Sequence, residues 1–193
     1  MATYIKRGFT PENRNTGGAN ANTLRTFPIQ NSYGSNIFYG DPVGSSAGFL
    51  VRTTGPKVIG VFQGCMYVDS TLKRQVNSLY FPTGTSTAGR VEGGYTTPMA
   101  LVAPAGDGCV FTGVADAAVT TSIIGKLYGV SLGSGSTVTG QSTAVVQVSA
   151  SFAEASVTQA TVRIIGVVNT PDNLYSDTTP VVEIIFPNVG YDS

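Results

Sequence analysis

The 193-residue sequence contains no histidine and no tryptophan. Without histidine it lacks the side chain best suited to proton transfer near neutral pH, which is also the commonest metal ligand. Ser-His-Asp and Cys-His arrangements and ordinary histidine-bearing zinc hydrolase centres are therefore excluded within this chain. There are two cysteines, Cys65 and Cys109, too few for a disulfide framework or a zinc cluster. Each lies in an apolar, strand-like run, so both are expected to be buried free thiols. Charge is scarce as well. Asp, Glu, Lys and Arg make up 11% of the chain, against about 25% in an ordinary globular protein. Basic and acidic residues balance at 11 each, so no net field would draw nucleic acid or an anionic membrane. No run approaches the ~18 apolar residues of a membrane-spanning helix, and the opening residues have no apolar signal-peptide core. The chain is expected to stay in the cytoplasm, or to leave it inside a larger assembly.

In place of charge the sequence offers Ser, Thr, Asn, Gln and 24 glycines, with 41% apolar residues to build a core. At this length it suits one domain. A neutral, hydroxyl-rich chain fits an all-β protein that packs against neighbours better than a solitary, highly soluble monomer. The best-organised stretch is 58–69, VIGVFQGCMYVD. Strand alternation puts Val58, Gly60, Phe62, Gly64, Met66 and Val68 on one face. Ile59, Val61, Gln63, Cys65, Tyr67 and Asp69 fall on the other. The first face is apolar or small throughout and is expected to meet the core, with the second only partly covered. Its two glycines point to a bend or a close approach.

Nowhere do apolar residues recur at helical spacing over a useful length. Short strands are expected at 37–39, 47–52, 99–103, 109–115, 119–124, 144–148, 160–168 and 181–186 beside the central one. Residues 70–77 are polar and read as a loop or one helical turn, and Leu79, Tyr80 and Phe81 form an aromatic cluster closed by Pro82. Pro-Ala-Gly-Asp-Gly at 104–108 reads as the turn of a hairpin joining 99–103 to 109–115. Residues 169–173, NTPDN, read as a type I turn. In the last strand Val182, Ile184 and Phe186 point inward and Glu183 outward, and the flanking Pro180 and Pro187 suggest a protected edge. The expected fold is an all-β antiparallel sandwich or barrel of about nine or ten short strands with a flexible N-terminal arm. The arm is 1–26 and the single all-β domain 27–193, with a candidate sub-division near 125–142.

The residues that could carry chemistry are few. Asp69, Asp107 and Asp116 are available as acids, but no spacing pairs them as a glycosidase needs, and Asp107 sits in turn chemistry. The glycines of GSGSTVTGQS at 133–142 follow no clear strand, open no helix and precede no Lys-Ser or Lys-Thr pair. They read as an exposed loop or subunit contact and not as a phosphate cradle. The expectation is a protein that is not an enzyme and holds no cofactor or metal. Candidate contact surfaces are the arm, with Phe9, Arg7, Arg14 and Arg25 as anchors, and the loops 85–97 and 129–142, with Tyr95 and Tyr128.

Several motifs in order carry a resemblance: VIGVFQGCMYVD at 58–69 followed by LYFPTGT at 79–85, GSGSTVTGQS at 133–142, VRIIGVVNTPDN at 162–173 and VVEIIFPN at 181–188. Together they resemble tailed-bacteriophage virion structural proteins of the capsid decoration, or cement, type. The resemblance covers roughly 40–188 and leaves out the arm. The family often has a tryptophan where Phe81 stands here, and its strand after that loop tends to be more acidic than 99–110. The resemblance implies a protein on the capsid surface of the virion, assembled in the host cytoplasm. Its partners would be the major capsid protein and other copies of itself in a symmetric homo-oligomer, a trimer by preference, with no direct nucleic acid or membrane contact. Low charge would make such binding insensitive to salt. The alternative is a carbohydrate-binding or host-attachment module on the same framework, presenting Tyr95, Tyr128 and Tyr175 from loops. The absence of tryptophan, the usual sugar-stacking platform, weighs against it.

Overall fold

Runs of β-branched and aromatic residues broken by glycine and proline produce fourteen strands and a single 3-10 turn among the described residues. The computed structural model describes residues 5–12, 24–106, 109–149 and 161–187. In chain order the first seven strands are β1 (Thr10–Pro11), β2 (Arg25–Pro28), β3 (Ile37–Phe38), β4 (Pro42–Ser46), β5 (Phe49–Arg52), β6 (Gly60–Val68) and β7 (Gln75–Ser78). The remainder are β8 (Tyr80–Phe81), β9 (Met99–Pro104), β10 (Phe111–Val114), β11 (Leu127–Ser131), β12 (Val145–Gln147), β13 (Val162–Val167) and β14 (Val181–Ile185). One six-stranded antiparallel sheet runs β1-β10-β14-β13-β11-β12. A second runs β2-β9-β6-β4-β5, with β7 also on β6, and β3 and β8 form a separate ribbon. The ends of the second sheet, β2 and β5, come close to each other, but no ladder joins them. The architecture is an all-β sandwich and not a closed barrel.

The central stretch is indeed the pivot, but its two faces differ from simple alternation. Val58, Val61 and Ala103 join Phe111, Val162, Ile164 and Ile184 in a core shared by both sheets. Their neighbours Phe62 and Val102 belong to a second core, with Ile37, Leu50, Cys65 and Phe81, enclosed by the second sheet and the ribbon. β6 and β9 are thus buried on both faces in the stretch where they pair. The register between them shifts between Phe62 and Gly64, a bulge at Gln63 that turns Cys65 toward the same core as Phe62. Met66 and Val68, expected in the core, are therefore only half-buried, and Cys65 is buried instead. Gly64 makes the bulge feasible by adopting φ +139°, which a side chain would resist. At Gly60 a Cβ would run into the carbonyl oxygen of Ala103 and lie 2.5 Å from Val102 Cγ1.

Other expectations change as well, beginning with residues 70–77, read as a loop or one helical turn, whose last residues open β7 and pair with β6. The strands around 104–108 form no hairpin, because β9 pairs with β6 and β2 whereas β10 pairs with β1 and β14 in the other sheet. After Pro104 the chain crosses between sheets, fixed on the way by the Ala105 N–H donating to Ile59 O at 2.8 Å. Residues 119–124 form the 3-10 turn Thr121–Ile123 in place of a strand. The last strand, β14, is central and not an edge, since β10 and β13 flank it; its inward set, Val182, Ile184 and Phe186, lies in the shared core. The arm is shorter than 1–26 at both of its described ends. Phe9 is fully buried, Thr10 and Pro11 pair with β10, and Arg25 and Thr26 pair with β9. The stretch 125–142 contains β11, which is hydrogen-bonded on both edges to β12 and β13. Neither cysteine is in a disulfide; Cys65 is buried and Cys109 half-buried.

The close approach at Gly60 gives a direct test. Gly60→Ala is expected to lower unfolding free energy by about 1–3 kcal/mol through overpacking. At Gly34 an added Cβ would meet nothing within 4 Å, so Gly34→Ala should stay within about 0.5 kcal/mol of the parent. Urea denaturation of both variants checks the pair.

Candidate functional site

Two of the chain's few charges, those of Asp41 and Arg52, meet at one buried point. Gly40-Asp41-Pro42 ends the β3 segment with a tight turn, in which the Asp41 N–H donates to Phe38 O at 3.0 Å and the Phe38 N–H returns to Asp41 Oδ2 at 2.8 Å. The turn is fastened to β6 by Gly40 N–H to Phe62 O and Phe62 N–H to Asp41 O, at 2.8 and 2.9 Å. This leaves the Asp41 carboxylate fully buried and aimed at β5, where Arg52 meets it. Arg52 Nε lies 2.7 Å from Asp41 Oδ2 with its N–H out of line for a hydrogen bond, and Nη2 donates to Oδ1 at 3.1 Å. The guanidinium also sits 5.7 Å from the centroid of the Phe38 ring, which stacks on Tyr80.

This ion pair fastens a loop. The Ser142 hydroxyl donates to Asp41 Oδ1 at 2.6 Å, and Arg52 Nη2 donates to the Gly133 carbonyl at 2.6 Å. Both ends of the 132–143 loop are thereby tied to one pair of charges. Tyr39 adds a parallel bridge, its N–H donating to Gly140 O and its carbonyl accepting from Ser142 N–H, each at 2.9 Å. Gly135 packs so closely on Phe38 that a Cβ would enter the ring, and a Cβ on Gly140 would lie 2.9 Å from Leu79 Cβ. The glycines of GSGSTVTGQS thus let a loop lie flat on an aromatic and aliphatic floor. Burial pushes the Asp41 carboxyl above its ordinary value of 3.8, against the lowering effects of Ser142, the Phe38 N–H and Arg52. Above this floor the loop turns outward. Val138 is 94% exposed at its tip, and Leu79 and Ile5 beside it are 51% and 71% exposed.

The expected contact residues fare differently. Phe9 is no surface anchor; its ring packs edge-on to Phe186 at 6.1 Å, inside the chain's own core. Tyr128 lies in β11 and is buried, so it is not a loop tyrosine. Arg14 lies outside the described residues. Arg25 and Tyr95 are both exposed, but Arg25 pairs opposite Val102, whereas Tyr95 precedes the Met99 end of that ladder. The structure does not bring them together. Residues 129–131 belong to β11, so the loop begins at Leu132. The 85–97 loop is laced to the body by Ala88 N–H to Val68 O at 2.9 Å and Glu92 N–H to Gln75 Oε1 at 2.8 Å. Sequence reading misses the Asp41–Arg52 pair; the available signal is one arginine ending the apolar run Phe49-Leu50-Val51.

The acids have backbone work. Asp69 Oδ1 accepts from Leu72 and Thr71 N–H at 2.7 and 2.8 Å, and those bonds hold its carboxyl below the usual range. Asp116 Oδ1 accepts from Val148 and Ser149 N–H at 2.7 and 3.0 Å. Asp107 lies outside the described residues. Burial pushes the Cys65 thiol up to about 12, so it is not a ready nucleophile. Among the described residues no three His, Cys, Asp or Glu side chains are placed to hold a metal ion, and no helix is long and apolar enough to cross a membrane.

Two outcomes test the latch. Arg52→Met strands a buried carboxylate and is expected to cost about 3–5 kcal/mol in urea denaturation. The Asp41→Asn, Arg52→Met double variant should lose less than the two single losses added, because each single change orphans the other group. In pH titrations of stability the sign follows from the raised carboxyl. Folded protein holds the Asp41 proton more tightly than unfolded chain, so this group's contribution falls as pH rises from 3.8 through its folded value. The stability of the parent relative to Asp41→Asn should fall across that window and level off above it.

Comparison with protein families, curated proteins and solved structures found no match to this chain.

Proposed function

We propose that the protein is a structural component of a bacteriophage particle, a decoration or cement protein that binds the outer surface of the head and stabilises the shell. The observation that carries this reading is the face at the 132–143 loop, which is held from beneath by a buried ion pair yet exposes Val138, with Leu79 and Ile5 exposed beside it. Large aliphatic side chains exposed on a pre-ordered loop lose little conformational freedom on binding, so most of their burial energy is available to association. The motifs that resemble decoration proteins include this loop and the strand of Phe81 beneath it. Copies arranged symmetrically, a trimer by preference, would each contribute such a face, and many weak contacts on one shell would add by avidity. The major capsid protein is the partner in this reading, and the capsid surface of the virion is the location.

A carbohydrate-binding or host-attachment role is the second reading, supported by Tyr95 and Tyr175, which remain 46% and 39% exposed. The two separate in one experiment, co-sedimentation of the purified chain with capsids that lack it. Saturable binding in fixed ratio to the major capsid subunit, with shells more resistant to heat, is the expected result. Val138→Asp with Leu79→Asp should weaken it by about tenfold or more, as for buried interface anchors. No binding to shells, with retention on host-cell glycans, would overturn the decoration role in favour of attachment.

A further inference from the structure

Beside the loop lies a groove of about 530 Å³, walled on one side by residues 5–7 and on the other by 136–143. Its first wall is fixed, because Phe9 is buried and its N–H donates to Gly40 O at 2.8 Å. Gly8 takes φ +72° against the Gly40 backbone, where a side chain would not fit. Just upstream of that anchor, Ile5, Lys6 and Arg7 are all exposed. Arg7 also borders a second groove of about 390 Å³ on the far side of the segment, together with Thr10, Thr112 and Val181. Among the described residues no carboxylate lines either groove.

The opposite wall is rich in donors. Ser136 Oγ accepts from Thr139 N–H at 3.2 Å, Thr139 Oγ1 from Gln141 N–H at 3.3 Å, and Thr143 Oγ1 from Gly135 N–H at 3.3 Å. Each hydroxyl oxygen accepts one bond from within the loop and keeps its own O–H available as a donor. Two cations facing three such hydroxyls match an acceptor-only, anionic ligand. The aliphatic Ile5 in the lining calls for apolar groups between the charges, and among the described residues no aromatic side chain lines the groove for a sugar to stack on.

We propose that this groove binds an acidic segment of a partner protein, in which Asp or Glu carboxylates meet Lys6, Arg7 and the loop hydroxyls and interspersed apolar side chains meet Ile5. The partner's identity as a shell subunit rests on the decoration reading; the chemistry of the groove does not. Arg7, one of the arginines expected as anchors of the arm, and Lys6 then set the charge preference of the face.

The probe is a synthetic peptide of alternating Glu and Leu, with its Gln-for-Glu counterpart, titrated into the full chain and followed by amide chemical shifts. The Glu peptide should shift Lys6, Arg7 and 136–143, and the Gln peptide should bind at least about tenfold more weakly, as should Lys6→Glu with Arg7→Glu toward the Glu peptide. Because both side chains are exposed, that double variant should keep the parent melting temperature. If it does not, the comparison of the two peptides on the parent chain still decides. Equal binding of both peptides, shifts elsewhere, or a sulfated oligosaccharide filling the groove while the Glu peptide does not would overturn the proposal. On capsids, shell binding unchanged by the double charge reversal overturns this proposal and leaves the decoration reading standing. Peptide binding in the groove without any shell binding supports this proposal and removes the decoration reading.

Discussion

Burial of β6 and β9 on both faces is the constraint on which the rest of the structure depends. Two cores on opposite sides of one strand pair require the pair to be thin, and the residues at the crossing are correspondingly small: Gly60 and Gly64 on β6, Ala100 and Ala103 on β9. Gly60 lets the two backbones approach to a distance that no Cβ would allow. The bulge at Gln63 then alters which residues face which core, so that Phe62 and Cys65 fill one and Val61 the other. Each large side chain buried there contributes about 1.5–3 kcal/mol by removal from water. A shift of register by one residue would exchange the contents of both cores at once. The bulge and the glycines therefore specify the pairing more strongly than hydrophobicity alone would.

Electrostatics act on a second level. In a chain with 11% charged residues, a buried carboxylate and a guanidinium 2.7 Å away are a costly choice. Burial raising the carboxyl despite three favourable contacts shows that desolvation outweighs what those contacts return. Stability alone does not explain such a pair. Its geometry does more: Asp41 reaches Ser142 at one end of the loop, and Arg52 reaches Gly133 at the other. Apolar groups of the same volume would fill the space without fixing either end, because packing is indifferent to direction and hydrogen bonds are not.

How much of this is legible in the sequence follows from the range of each interaction. The all-β class, the central strand and the inward set Val182, Ile184 and Phe186 are local patterns, and they are present in the fold. The 104–108 turn shows where local reading stops. Its residues do suit a turn, but whether the next strand folds back or crosses to another sheet depends on β14 and β1, far away in sequence. The same limit applies to Phe9, which reads as an anchor because its sequence neighbours are polar, whereas its cavity is built by Gly113 and Phe186. Tyr128 reads as a loop residue because Gly129 follows it, although both sit in a strand paired to β12. The Asp41–Arg52–Ser142 cluster joins residues up to 101 positions apart. No window along the chain displays it.

The latch and the face above it form one physical unit. A loop of Gly, Ser and Thr has few apolar side chains of its own to hold it in place, and left free it would lose roughly 1–2 kcal/mol per residue in backbone entropy on binding anything. Arg52, Asp41, Phe38 and Tyr39 fix that backbone in advance. The internal bonds of Ser136, Thr139 and Thr143 hold the hydroxyl oxygens in place and keep each O–H available as a donor. Rigidity and donor character thus arise from the same hydrogen bonds, and a change that loosened the loop would also scramble the chemistry it presents. Scarcity of charge elsewhere gives Lys6 and Arg7 a weight that two cations on an ordinary, densely charged surface would not have.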